Sequence, residues 1–258
     1  MGPDKFPSTV QEPMGSLDNT TVSKDLGARI AEIDWYHTID LGGGLLTPGA
    51  FDHRPILSRY PLPERLDGLR VLDVATFDGY WAFEMEKRGA REVVALDLSC
   101  VGDLDLPRNR RKAMIQAELD APMGRGFWLA HEVLGSKVNR VEMNVYDLSP
   151  ERLGKFDLVH LGSLLLHLHN PIKALANVYD VTLSQAVIGE CYSPNLPLRI
   201  MRYLGGQDNC AWWSMSLGCL TQMIKDAGFS RLDLKYKYSI AHRKSKRDIK
   251  HAAFVAHV

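Results

Sequence analysis

Asp73 closes the apolar run LRVLDVA, and Asp97 closes a second, EVVALDL, at the interval of about 20 residues that separates a phosphate or nucleoside loop from its ribose-binding acid. Gly79 stands between them and opens a helical pattern. A nucleoside-type site in an open α/β sheet needs a tight turn after one strand, backbone that a ligand can approach, and an acid at the end of the next strand. All three parts are present. The residues between Asp73 and Gly79 are Val74, Ala75, Thr76, Phe77 and Asp78, so the GxGxxG pattern is absent and a pyrophosphate would find too few glycines.

A zwitterionic amino-acid group joined to a ribose asks less of the loop, and S-adenosylmethionine is such a ligand. Asp73 would organise the loop and attract an amino group, Thr76 and Gly79 would shape the space for a carboxylate, and Leu98 would lie against an adenine face.

The elements that must position these residues follow from Leu69 onward, where short apolar runs alternate with helical ones as in a parallel sheet. LRVLDVA predicts a first strand, GYWAFEMEKRG a helix closed by Gly89, and EVVALDL a second strand. VNRVEMNVYDL and FDLVHLGSLLL predict a third and fourth, NPIKALANVYDVTL a helix entered through Pro171, and AVIGECY a fifth strand. LTQMIKDAGF reads as a helix that stops at Gly228. RLDLKYKYSI and HAAFVAHV then form an antiparallel hairpin around AHRKSKRDIK. Residues 1–23, rich in Pro, Gly, Ser and Thr, predict a flexible leader. Leu26, Ile30 and Ile33 predict a short amphipathic helix running into Trp35 and Tyr36. Residues 24–65 are expected to be a helical lid, and residues 66–258 the main domain.

Composition narrows the partners. With 258 residues, 45% of them hydrophobic, the chain can bury one sizeable core. Lys+Arg and Asp+Glu both total 31, so no global basic field is available for a polynucleotide. The four cysteines form no CxxC pair, no metal-ligand set is read, and no signal-peptide pattern or run of roughly 18 apolar residues is present. These features predict a reduced, soluble, cytoplasmic protein with no membrane partner, and they leave homo-oligomerisation open.

The succession VLDVATFDGYWAF, VVALDL, VYDL, FDLVHLGSLLLHLHNPIKAL and WWSMSLGCLTQMIKDAGF resembles the class I S-adenosylmethionine-dependent methyltransferases. More narrowly it is similar to the branch containing the bacterial tRNA wobble-uridine carboxymethyltransferase, from about Trp35 to the end. The resemblance implies an α/β, Rossmann-like fold with a mostly parallel seven-stranded sheet and a C-terminal antiparallel hairpin. It also implies S-adenosylmethionine as cofactor. Asp73, Ala75, Thr76 and Gly79 would surround its methionine part, and Asp97 and Leu98 its ribose and adenine. Tyr146 and Asp147 would meet the adenine, and Leu161 would border the sulfur. The family's first motif is DxGxGxG, and here Ala75 and Phe77 stand where glycines are usual.

The carboxymethyl enzyme carries a Tyr and Arg residues about its fourth motif to hold the extra carboxylate, whereas this chain reads LLLHLHNP, with Leu166, His167, Leu168 and His169. Ordinary methyl transfer is therefore expected. If the acceptor is a hydroxyl, His167 or His37 is the expected base, in that order. The pairs Trp35 and Tyr36, and Trp212 and Trp213, are expected to wall the acceptor pocket. His53 and Arg54 read as a surface pair with a nearby carboxylate. The expected partner is a small molecule. Two basic runs, RNRRK and HRKSKR, carry the alternative of a tRNA substrate, and Ala75 with Phe77 carry that of a catalytically silent homologue.

Overall fold

In the computed structural model the described residues are 19–206 and 210–258, with side chains described from residue 25. They fall into two compact units that divide between Ile33 and Asp34. In the first, the leader expected over 1–23 lies outside the described residues up to residue 18. From there helix α1 (Asn19–Ala31) runs, so the helix starts ahead of Lys24.

In the second unit, residues 34–65 are mostly irregular rather than helical, with one 3-10 turn at Arg54–Ile56. Strand β1 (Arg70–Val74) leads into helix α2 (Tyr80–Lys87) and strand β2 (Glu92–Asp97). Three helices follow, α3 (Arg108–Ala113), α4 (Gln116–Leu119) and α5 (Arg125–Leu134), before β3 (Asn139–Glu142). A short helix α6 (Pro150–Leu153) precedes β4 (Phe156–Gly162). Helix α7 (Pro171–Val181) then passes directly into β5 (Thr182–Cys191). The small strands β6 (Met201–Tyr203) and β7 (Trp213–Met215) pair with each other, and α8 (Leu217–Asp226), β8 (Arg231–Ala241) and β9 (Asp248–His257) complete the unit.

The main sheet has seven strands in the order β3-β2-β1-β4-β5-β9-β8. The first five run parallel, and β9 pairs antiparallel with both β5 and β8. This is the α/β architecture with a C-terminal antiparallel pair that the sequence pattern predicts. The order reverses between β1 and β4, the switch point at whose carboxyl edge ligands bind in open α/β sheets.

Strand periodicity assigns the two faces different work. Leu72, Val74, Val159, Leu161, Ala186 and Ile188 join α7 and α8 in one apolar core. The alternate residues Asp73 and His160 are register partners on the opposite face, where Trp81 of α2 packs on His160. Leu161 belongs to that core, fully buried.

Candidate active site

After β1 the chain turns through Ala75 and Phe77, which are left-handed at φ 59° and 50°, and reaches Gly79 at φ 89°. Glycine adopts such angles freely, whereas an L side chain there costs roughly 1–2 kcal/mol. Ala75 and Phe77 therefore hold the backbone path of a glycine loop without its glycines. Four hydrogen bonds enforce it. Thr76 N donates to Leu96 O at 3.1 Å, Gly79 N to Thr76 O at 2.8 Å, Thr76 Oγ1 to Asp73 Oδ2 at 2.7 Å, and Phe77 N to Asp97 Oδ2 at 2.6 Å. Gly79 is confined further, because a Cβ there would enter the rings of Phe83 and Phe127.

Asp97 is 6% exposed, and its Oδ1 accepts from the amide of Leu98 at 2.7 Å. Burial pushes its carboxyl upward against those two amides. Asp73 is more enclosed still. Its Oδ1 lies 2.8 Å from His160 Nδ1, and His160 Nε2 lies 2.9 Å from Tyr60 Oη. With a neutral ring, Nδ1 donates to Asp73 and Tyr60 donates to Nε2. Tyr60 approaches so closely that a Cβ on residue 189 would collide with its hydroxyl, which is why Gly189 occupies that point of β5. Both oxygens of Asp73 thus face the protein, so its observed work is to set the loop.

Asp78 fastens residues 34–53 over this loop. Its Oδ2 accepts from the amides of Tyr36 at 2.7 Å and His37 at 2.9 Å, and burial pushes it up to about 7. The ring of Tyr36 lies 5.3 Å from that of Phe77, which is 40% exposed. Burial, then the charges of Cys191 and Glu190, raise the Tyr36 hydroxyl above its ordinary range. His37 packs with His53 and Tyr80 at ring distances of 5.3 and 5.6 Å, and Nδ1 of both histidines and Oη of Tyr80 are buried without partners. Burial, then His53 and His160, hold His37 well below its ordinary range, and burial takes His53 down to about 3. Arg54 meanwhile pairs with Asp52 at 2.7 Å on the surface.

A second cluster gathers beyond β3. Asp105 Oδ2 accepts from Tyr146 Oη at 2.7 Å and lies 2.7 Å from His169 Nδ1. Trp212 Nε1 donates to Asp105 O at 2.7 Å, and Trp213 Nε1 to Leu168 O at 2.9 Å. Asp147 points outward to Arg152 at 3.6 Å. His167 Nδ1 lies 3.3 Å from Cys210 O, and burial lowers its affinity for a proton. Trp35, 2% exposed, packs near Gly126 of α5.

The structure thus brings Asp73, Ala75, Thr76, Gly79, Asp97 and Leu98 together with Tyr36 and His37. It places Tyr146, Trp212, Trp213 and His167 in or beside the second cluster, turns Asp147 toward Arg152, buries Leu161 in the core and sets Trp35 against Gly126 near Asp78. Sequence reasoning missed Asp78, His160, Tyr60, Asp105 and Glu190. The signal for His160 and Glu190 was a polar residue interrupting an apolar strand run.

The methyltransferase-domain family matches residues 52–231. No curated protein sequence matches the chain. Among solved structures, the N-terminal domain of EvdMO1 with S-adenosylhomocysteine bound is similar at a TM-score of 0.61 and 15% identity, over 95% of this chain and 100% of that domain. The chain spans 50% of the longer EvdMO1 chain. YcgJ from Bacillus subtilis is similar at 0.56 and 14% identity, over 80% and 98%. The [4+2]-cyclase SpnF is similar at 0.54 and 14% identity, over 91% and 92%. At these identities the likeness is one of fold.

Proposed function

The chain belongs to the methyltransferase-domain family, and from that premise we propose that it transfers a methyl group from S-adenosylmethionine to an oxygen or nitrogen of a small-molecule acceptor. When bound, that cofactor supplies an electrophilic methyl carried on a sulfonium. The observation that carries the reading is the left-handed passage through Ala75 and Phe77 pinned to Asp97, which keeps a glycine-loop path where the cofactor's methionine and ribose would lie. Ala75, Thr76 and Gly79 would border the methionine part, and Asp97 and Leu98 the ribose and adenine. Asp73 holds Thr76 in place, and the Tyr36 ring lies against Phe77 of the loop. Residues 34–65 act as the lid, fastened through Asp78. Tyr146 and Trp212 line the adenine side around Asp105.

The chain's own contribution to the transfer is orientation and exclusion of water, because holding an acceptor in line supplies much of the acceleration. SpnF, a cyclase on the same fold, illustrates that the fold does not fix the reaction. The tRNA wobble-uridine reading would draw on RNRRK and HRKSKR. In those runs Arg110 donates to Gly206 O, Arg111 to Gly102 O and Leu104 O, Arg243 to Thr38 Oγ1, and Lys244 pairs with Asp34. Arg110 and Arg111 are thus engaged within the protein while Arg108, Lys112, Lys244, Lys246 and Arg247 stay exposed, and the balance of 31 cations against 31 acids is what favours the small acceptor. Among the described residues no helix is long and apolar enough to cross a membrane.

Calorimetric titration with S-adenosylmethionine, S-adenosylhomocysteine and carboxy-S-adenosylmethionine tests the donor. The first two should bind and the third more weakly, and absence of binding by all three would refute the proposal. Tight, salt-dependent tRNA binding would restore the wobble-base reading.

A further inference from the structure

Glu190 is the last inward-facing residue of β5, at the carboxyl edge of the sheet and 0% exposed. Its Oε1 accepts from two consecutive amides, Leu164 N at 2.7 Å and Leu165 N at 3.0 Å, in the turn that follows β4. Its Oε2 is buried with no partner. A carboxylate oxygen left unpaired in a protein interior is costly, and natural proteins keep few of them without a use. The two amides fix the side chain by one oxygen and leave the other open.

Several elements converge around that carboxyl at the edge of the sheet. Tyr36 from the covering segment, Tyr60 from the segment after it, Cys191 from the same strand and Tyr238 from β8 all feel the Glu190 charge. In the turn after β4, Ser163 N donates to Gly189 O at 2.9 Å. Glu190 thus stands behind the ends of β4 and β5, across the switch point from the loop that begins at Asp73. Of the two histidines favoured by sequence, His167 has its Nδ1 directed at Cys210 O, while His37 Nδ1 is also unpartnered but burial holds that ring well below its ordinary range, so it is a poor base.

We propose that Glu190 Oε2 contacts the acceptor and takes its proton, so that the acceptor of this site is a hydroxyl or N–H compound held against a buried carboxylate. The inference rests on the methyl-transfer reading above. In the balanced step the acceptor oxygen or nitrogen forms a bond to the methyl carbon. The carbon–sulfur bond of the donor breaks with its electron pair on sulfur, and the acceptor's proton goes to Glu190 Oε2. Burial pushes the Glu190 carboxyl up to about 8, opposed by the amides of Leu165 and Leu164, which makes it a far stronger base than an exposed glutamate. The neighbouring groups do not compete for the proton, since burial raises Tyr36, Tyr60 and Tyr238 above their ordinary range and Cys191 to about 12.

Sinefungin probes this without a known acceptor, because it carries an amine-bearing carbon in place of the methyl sulfonium and so places a cation where the methyl is handed over. In the wild-type protein it should bind about tenfold or more tighter than S-adenosylhomocysteine at pH 8.5, with a smaller advantage at pH 6.5, where Glu190 is protonated. Glu190→Gln keeps an oxygen for the two amides. It should leave S-adenosylhomocysteine affinity within about twofold while removing the sinefungin advantage and its pH dependence. An unchanged advantage in Glu190→Gln, or a pH-independent one in the wild type, would overturn the proposal while sparing the donor reading. If neither compound binds the wild type, the donor reading fails and this inference with it. The wild-type pH comparison needs no variant, so it decides even if Glu190→Gln does not fold.

Discussion

The two faces of the sheet are built from alternate residues of the same strands, yet they are made differently. Toward α7 and α8 the strands present Leu72, Val74, Val159, Leu161 and Ile188, all fully or almost fully buried and all apolar. Toward α2 and residues 34–65 the intervening positions present Asp73 and His160, continued by Tyr60 and flanked by the buried His37, His53 and His251. The apolar face needs only volume and shape. The polar face must satisfy each donor and acceptor, and that requirement fixes the conformation of the loop after β1. One strand register therefore serves the apolar core on one side and the conformation of the loop after β1 on the other.

Paired substitutions test that division most forcefully. Asp73→Ala removes the acceptor of both His160 and Thr76 and should cost about 3–5 kcal/mol, read as a lower midpoint in denaturant unfolding. In any protein that still folds, S-adenosylhomocysteine affinity should fall as well. Leu161→Ala, on the other face, should cost about 2–5 kcal/mol through the cavity it leaves, with affinity unchanged within about twofold. Equal effects on binding would erase the distinction between the faces.

The pH dependence of stability sharpens the same contrast. His37, His53 and His251 are depressed in the folded state, the last two to about 3 and about 4 from 6.5, chiefly by burial. The unfolded chain therefore takes up protons first, and stability falls as pH drops below about 6.5. Asp78 and Glu190 are raised to about 7 and about 8 from 3.8 and 4.5, so the folded state favours their protonated forms. Their contribution is fully present below about 4 and is lost as pH rises toward 8, which offsets part of the histidine effect at acid pH. Thermal melts from pH 5 to 9 should peak near 6.5 and lose roughly 1–3 kcal/mol by 8.5, with Glu190→Gln flattening the alkaline side. A profile flat from 6.5 to 8.5 would contradict the burial of these acids.

The smallest effect is expected in the loop itself. Ala75→Gly relieves a left-handed alanine but adds freedom to the unfolded chain, and the two terms should nearly cancel, giving a stability change under about 1 kcal/mol. A loss of several kcal/mol would mean that the Ala75 methyl is packed rather than merely tolerated.

The sequence made the parallel strands legible because each is an apolar run of strand length bounded by turns, and β1, β2 and β4 lie within the predicted segments. It made the loop legible through the spacing of Asp73, Gly79 and Asp97. Helix α5 escaped notice because it starts after a left-handed Gly124 with no polar side-chain cap. The β6–β7 pair escaped because strands of three residues leave no periodic trace, and the pairing of Tyr203 with Trp213 spans a loop. The helical lid expected over 24–65 proved mostly irregular from Asp34, because the segment is held by Asp78 and backbone bonds such as Thr38 N to Phe51 O rather than by a helical ladder. The partners of Asp73, Asp78 and Glu190 were invisible for a common reason: their contacts join strands and turns that are distant along the chain.

The central claim is that Asp97, by pinning Phe77 N and offering its carboxylate at the end of β2, shapes and completes the cofactor site. Calorimetric titration of S-adenosylhomocysteine into wild type and Asp97→Ala tests it directly. The expected result is a loss of about 100-fold or more in affinity, with the folded protein retained by circular dichroism. Equal affinities in two equally folded proteins would contradict the account.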